Sequence, residues 1–193
     1  MRIVGGKHKG RTLAAPQGRD TRPTSDRARE AMFNVLGHLS VGPGLDGARV
    51  MDVFAGTGAL GLEALSRGAA HATFVENHHG AIKTLQANIV TLNEAAHCTV
   101  LPIKAAALGK PRNADDAVDY AFLDAPYDKE LTAPALQMLA ETGWLSPQAV
   151  IMAEVAVREG LSPPPGFHVV KEKTYGAARA VFLEFRPEHA QTH

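Results

Sequence analysis

Asp52-Val-Phe-Ala-Gly56-Thr-Gly58-Ala-Leu-Gly61 lies where an apolar run, Arg49–Phe54, gives way to a helical one, Ala59–Ser66. The segment contains G-x-G-x-x-G, and a second apolar run, Ala72–Glu76, ends on an acid. Glycines at a strand-to-helix turn let a ligand approach the backbone, and a following acid suits ribose hydroxyls. A strand, a glycine turn, a helix and a second strand ending on an acid make one half of a nucleotide-binding sheet.

Outward from this segment the alternation continues. Thr99–Pro102, Val118–Asp124 and Ala149–Val155 read as further strands, with helices at His79–Asn93 and Lys129–Thr142. Continuous apolar strands alternating with amphipathic helices imply a parallel sheet covered on both faces. After Ser162-Pro-Pro-Pro165 the pattern changes. Phe167–Tyr175 and Ala180–Arg186, joined through Gly176, read as an antiparallel hairpin. The expected fold is α/β and Rossmann-like, a mostly parallel seven-stranded sheet with a C-terminal antiparallel hairpin. Residues 1–193 read as one domain, with an arm at 1–22, a helix at 23–40 and the core at 49–186. Within the arm, Arg2–Val4 and Arg11–Leu13 read as a small β-hairpin around a Gly- and Lys-rich turn. Such a hairpin alone is marginal in water, so the arm is expected to be mobile until it meets a partner. Thr24 or Ser25 caps the helix that follows, with Asp26 at the positive end of its dipole.

Asp52 decides which nucleotide fits. A pyrophosphate binds at a helix N-terminus free of nearby anions, and the Asp52 carboxylate would repel it. The same carboxylate suits the ammonium group of S-adenosylmethionine. Asp-x-x-x-Gly-x-Gly with a downstream acid has the shape of that donor's site in Rossmann-like methyltransferases. The candidate cofactor residues here are Asp52, Phe54, Ala55, Gly56, Thr57, Gly58, Glu76 and Asn77.

The fourth strand ends Asp124-Ala125-Pro126-Tyr127. Ligands bind outside the carboxyl ends of such strands, so this tip faces the same crevice as Gly56. The tetrapeptide is similar to the Asp/Asn-Pro-Pro-Tyr/Phe motif of enzymes that methylate exocyclic amines of bases. Asp124 is placed to accept one amine N–H and the Ala125 carbonyl the other, and Tyr127 offers a stacking face. Ala125 replaces the first proline, which keeps the carbonyl and removes the ring that restrains φ. A strand-end Asp capping a turn, with Pro126 and Tyr127 only packing, is the structural alternative.

Composition narrows the classes. Of 193 residues 45% are hydrophobic and 21% charged, which rules out wholesale disorder. The formal charge is +0, yet residues 1–30 hold 8 basic and 3 acidic side chains. A basic arm on an acidic body suggests a surface for a polyanion, with Arg2, Lys7, Lys9, Arg11, Arg22 and Arg27 as candidate contacts, or else a tail kept basic for solubility, and charge alone does not decide between them. Helix-start arginines are otherwise most often solvated or in local ion pairs. One cysteine, Cys98, excludes an intramolecular disulfide and reads as a buried small hydrophobe. No apolar run reaches membrane-span length, and no secretory signal begins the chain, so a cytoplasmic location is expected. The nine histidines show no zinc spacing, and no metal is expected.

Arg2-Ile-Val-Gly-Gly-Lys7, Lys9-Gly-Arg11 and, above all, Arg22-Pro-Thr-Ser-Asp26-Arg-Ala-Arg29-Glu30-Ala-Met-Phe33-Asn34 carry a resemblance over almost the whole chain. Asp52–Gly68 continues it. Together they resemble the bacterial 16S ribosomal RNA guanine-N2 methyltransferase family, the RsmD type. The resemblance implies a class I fold, S-adenosylmethionine as donor, and as acceptor one guanine of 16S rRNA in the small subunit or its assembly intermediate. The chain departs from the family at Lys104-Ala105, after the third strand, where relatives often place a polar amide or acid near the adenine, so adenine contact is expected mainly through the backbone at Ala105. Three rivals stay open: an adenine-N6 DNA methyltransferase, an NAD-dependent oxidoreductase opposed by Asp52, and a non-enzymatic ribosome-assembly factor on the same fold.

Overall fold

The computed structural model describes residues 1–15, 25–126 and 131–187. Seven strands form one sheet in the order β3-β2-β1-β4-β5-β7-β6. They are β1 Arg49–Val53, β2 His71–Val75, β3 Cys98–Leu101, β4 Val118–Asp124, β5 Leu145–Ala156, β6 Phe167–Tyr175 and β7 Ala178–Phe185. β1 to β5 pair in parallel, and β7 runs antiparallel between β5 and β6. The expected parallel sheet and its terminal hairpin are both present.

Strand alternation splits the core in two. Val50, Phe74, Phe122, Met152 and Phe182 face a layer made by α1 (Asp26–Leu36), α2 (Ala59–Ser66) and α3 (His79–Leu92). Met51, Val53, Leu123, Ile151 and Leu183 face α4 (Thr132–Thr142) and the segment before β4. That β3-to-β4 crossover has no α-helix, only 3₁₀ turns at Ala105–Ala107 and Ala114–Asp116. Leu108 and Trp144 fill the space, the indole N–H donating to the Gly109 carbonyl at 2.7 Å.

β1 is the switch point. From it the chain crosses through α2 to β2 on one side and returns by β4 on the other. A crevice therefore opens at the carboxyl ends of β1 and β4.

Some bounds differ from the sequence reading. Ser25 caps α1, its hydroxyl accepting the Ala28 N–H at 3.1 Å, but the helix stops at Leu36 rather than 40. Gly37 leaves it, and His38 and Leu39 continue as a turn. β5 begins at Leu145, ahead of the expected Ala149. A register shift at Val118/Tyr120, with Gln148 at φ +66°, absorbs the extra residues around Pro147.

The arm departs most. Its hairpin is a single bridge, Arg2 to Thr12, around a 3₁₀ turn at Gly6–His8, and it is docked rather than mobile. Ile3 and Leu13 are buried in the core. The Val4 N–H donates to Glu63 Oε2 at 2.9 Å and the His8 N–H to Ser66 Oγ at 2.9 Å. A Cβ on Gly6, at φ +71°, would lie 1.7 Å from the Ser66 carbonyl oxygen, so only glycine lets the arm meet the end of α2. Arg29, fully buried, binds the Arg2 carbonyl and Asp26 Oδ1, with Glu63 Oε2 at 3.7 Å.

Candidate functional site

The chain leaves β1 by a turn that few side chains tolerate. Phe54 has φ +64°, Gly56 +55° and Gly58 +80°. A left-handed Phe is strained, and such strain concentrates at ligand sites. The three glycines differ in reason. A Cβ on Gly58 would sit 2.3 Å from Leu85 Cδ1, and one on Gly61 2.4 Å from Phe74 Cε1. Gly61 lets α2 press onto β2, and Gly58, just before α2, lets α3 pack against the start of α2. At Gly56 the nearest atom is the Phe54 carbonyl oxygen at 4.0 Å, so that position faces open space.

Two carboxylates tie the turn down. Glu76, just past β2, accepts the Gly56 N–H on Oε2 at 2.8 Å. Its Oε1 accepts the N–H groups of Asn77 and His78, each at 2.8 Å. Asp52 is buried, and its Oδ2 accepts the Gly61 N–H at 2.9 Å. Asp52 Oδ1 is buried with no hydrogen-bond partner. Burial pushes the Asp52 carboxyl well above the ordinary carboxylate range; the Gly61 N–H opposes this, and the charges of Asp124 and Glu76 add to it. An orphaned, buried acceptor flanked by anions is a place for a cation.

β4 pairs with β1 up to Val53–Leu123, which sets Asp124 beside the turn. Ala125 is buried and Pro126 exposed; Tyr127 lies outside the described residues. The structure thus gathers Asp52, Phe54, Ala55, Gly56, Thr57, Gly58, Glu76, Asn77, Asp124, Ala125 and Pro126 at one end of the sheet. Thr57 is buried, and its carbonyl accepts from Asn88 Nδ2 at 3.0 Å. Ala105 begins a 3₁₀ turn past β3 and packs, like Phe54 and Leu101, against the second core cluster.

One residue escaped the sequence reading. Glu154, buried in β5, pairs in register with Asp124. Its signal was a lone acid in the apolar run Ala149–Val157, which reads only as a break in hydropathy.

The basic candidates are not gathered here. Arg2 Nε is 3.3 Å from Asp26 Oδ2, and Lys7 Nζ is 2.7 Å from Glu94 Oε1. Arg11 Nη2 donates to the Thr91 carbonyl at 2.7 Å. Lys9 and Arg27 are exposed, without an ion pair among the described residues. Arg22 lies outside them. Cys98 has its thiol pushed up to about 12, by burial first and then by the Glu94 charge, which makes it a poor nucleophile. Among the described residues no group of His, Cys, Asp or Glu could hold a metal ion, and no helix is long and apolar enough to cross a membrane.

Residues 1–184 match the family model described as Conserved hypothetical protein 95. Ribosomal RNA small subunit methyltransferase D of Escherichia coli is 38% identical over 91% of this chain and 85% of its own length. Its Haemophilus influenzae counterpart is 34% identical over 91% and 89%. The chain belongs to this family. The solved Escherichia coli protein yhhF superposes on it with a TM-score of 0.82 at 33% identity, covering 97% of this chain and 99% of that one. An RNA methyltransferase from Salinibacter ruber, in complex with S-adenosyl-L-homocysteine, shares the fold, with a TM-score of 0.64 at 13% identity over 88% and 97% of the two chains. The family's fold is class I, and the S-adenosyl-L-homocysteine in the Salinibacter neighbour is the spent form of the methyl donor S-adenosylmethionine. The residues present fit that donor. Asp52 Oδ1 is an unanswered buried acceptor for its ammonium, and the space at Gly56 admits it to the backbone.

Proposed function

We propose that this protein methylates ribosomal RNA, transferring a methyl group from S-adenosylmethionine to the exocyclic N2 amine of one guanine in 16S rRNA. The observation that carries the reading is Asp124 at the tip of β4, beside the glycine turn and its orphaned Asp52 oxygen. Bound S-adenosylmethionine supplies an electrophilic sulfonium methyl. Asp52 holds the amino acid end of the donor, and Glu76 serves the ribose while fixing Gly56. Asn77 and the backbone at Ala105 border the adenine.

A base amine is a weak nucleophile because its lone pair is shared with the ring. Asp124 accepts one N–H and the Ala125 carbonyl the other, which favours a pyramidal nitrogen. The nitrogen forms its bond to the methyl carbon as the carbon–sulfur bond breaks. The amine proton then passes to solvent, and no covalent enzyme intermediate forms. Tyr127 stacks on the extruded base. Rate enhancement comes from positioning and from Asp124 stabilising charge on nitrogen.

The test is tritiated methyl transfer onto small subunits from cells lacking the gene, followed by nucleoside analysis. N2-methylguanosine is the expected product. Label in N6-methyladenosine, or donor binding without transfer, would overturn the reading. Asp124→Ala is expected to abolish turnover in single-turnover assays with donor affinity close to normal, because its partner is the base.

A further inference from the structure

A row of paired residues joins the crevice to the far edge of the sheet. Asp124 pairs with Glu154, Glu154 with Ala180, and Ala180 with Lys173. Two residues back, Phe122, Met152, Phe182 and Lys171 form a parallel row. Phe122, Met152, Ala180 and Phe182 all face the layer of α1, α2 and α3. Lys171 and Lys173 therefore stand on that face too, at the level of the β4 tip. Three strand spacings put Lys173 roughly 14 Å from Asp124.

Both lysines line a groove between this edge strand and α1. Ala31 and Val35 form part of its floor, and Asn34 and His38 border it. Arg27 precedes Ala31 by four residues and Asn34 by seven, so it lies on the same face of α1. Arg27 and Lys171 have no ion pair among the described residues, and Lys173 Nζ sits 5.5 Å from the Tyr175 ring centroid, a contact that leaves its N–H donors available. Glu172, the one acid in the lining, is answered by Arg179 at 3.1 Å. The arm is the opposite case, since the charges of Arg2 and Lys7 are spent on Asp26 and Glu94.

We propose that the groove between α1 and β6, edged by Arg27, Lys171 and Lys173, carries the phosphodiester backbone of the RNA strand whose base enters the crevice at Asp124. This rests on the rRNA methyltransferase reading. A positive stripe on the face of the reacting tip, a few strands away, matches a flexible polyanion that must present one base and hold its flanking phosphates. The Asn34 side-chain amide adds a neutral donor for phosphate or sugar oxygens. Lysines on an edge strand also discourage strand-to-strand aggregation, a role that asks nothing of RNA.

The experiment compares the wild-type chain with Lys171→Ala/Lys173→Ala and Lys171→Arg/Lys173→Arg, binding small-subunit rRNA across a potassium chloride series. Donor affinity by calorimetry and melting temperature are measured alongside. Each lost phosphate contact lowers the log–log salt slope by about 0.7–0.9, so the alanine pair is expected to lose roughly 1.4–1.8. The arginine pair is expected to keep the wild-type slope, and all three to bind donor within about twofold, because neither lysine borders the glycine turn. An alanine pair with wild-type slope and affinity overturns the groove, and aggregation of that pair without a change in slope assigns the lysines to edge protection instead. Wild-type protein that methylates subunits in the same series keeps the functional reading intact whichever way the groove falls. Wild-type protein that neither binds rRNA nor methylates subunits overturns both.

Discussion

Lys7 Nζ lies 2.7 Å from Glu94 Oε1, joining the N-terminal arm to the chain just past α3. Glu94 is buried, and it also meets His8 Nε2 at 2.6 Å and His97 Nδ1 at 2.8 Å. Burial alone would raise its carboxyl, but the hydrogen bonds from Lys7, His8 and His97 outweigh that and hold it below its ordinary value of 4.5. The arm is therefore a wall of the domain.

Glu94→Ala is expected to cost about 1.5–3 kcal/mol at neutral pH, the range for hydrogen bonds to a charged group. Urea denaturation measures it. Because the folded carboxyl is depressed, its contribution is present above 4.5 and disappears as pH falls through the folded value, where variant and wild type converge. Deleting residues 1–13 removes Ile3 and Leu13 from the core and is expected to abolish donor binding and RNA binding together. A deletion variant with wild-type donor affinity would show the arm to be dispensable for the fold.

The glycine turn separates packing from ligand access. Gly61→Ala drives a methyl group into Phe74 and towards Asp52 Cβ, 3.3 Å away, and is expected to destabilise by about 1–3 kcal/mol. Gly56→Ala meets nothing closer than 4.0 Å and bears only the left-handed backbone penalty, about 1–2 kcal/mol. Its loss of donor affinity is expected to exceed its loss of stability, because the added methyl group occupies the approach to the backbone. Thermal melts with and without donor distinguish the two variants. Equal behaviour would mean that Gly56 serves the turn alone.

Legibility in the sequence followed locality. α2, β4 and β6 have the bounds their apolar runs and turn residues indicate, because each is decided within its own stretch. The Asp52–Gly61 turn was legible for the same reason. The arm was not, since Glu94 stands 86 residues from His8 and no short-range pattern announces the pair. Nor was the early start of β5, where Pro147 and a left-handed Gln148 carry loop chemistry and pairing with β4 overrides it. Glu154 became a site neighbour only once the β4–β5 register set it beside Asp124.

Glu76 ties down the Gly56 turn and, in the proposed reading, takes the donor's ribose. Glu76→Ala releases the N–H groups of Gly56, Asn77 and His78 along with the proposed acceptor for the ribose. Donor affinity is expected to fall by roughly 1–3 kcal/mol. Glu76→Gln retains acceptor oxygen but places a donor where backbone N–H groups converge, so it is expected to fall between alanine and wild type. Calorimetry with S-adenosylmethionine and with S-adenosylhomocysteine reads both, and unchanged affinity in the two variants would remove Glu76 from the site.

If Asp52 holds the donor's ammonium group as proposed, donor binding is expected to depend on pH. Its carboxyl is raised in the folded, ligand-free protein, chiefly by burial and further by Asp124 and Glu76. A raised acid binds its proton more tightly when folded, so its effect on stability is absent below 3.8 and grows unfavourable as pH rises towards the folded value. An ammonium group set against Oδ1 reverses the balance, favouring the carboxylate and releasing the proton. Donor affinity is therefore expected to increase with pH between the ordinary carboxylate value and the raised one, and then to level. Within that window, calorimetry in buffers of different ionisation enthalpy reads the proton directly as a heat that varies with the buffer. Asp52→Asn cannot titrate. It is expected to bind donor more weakly by about 1–3 kcal/mol, with no buffer-dependent heat from this site, while its ligand-free form melts no lower than wild type at neutral pH. Proton release that persists in Asp52→Asn would assign the titration to Glu76 or Asp124 and leave Asp52 as a holder of the Gly61 amide alone.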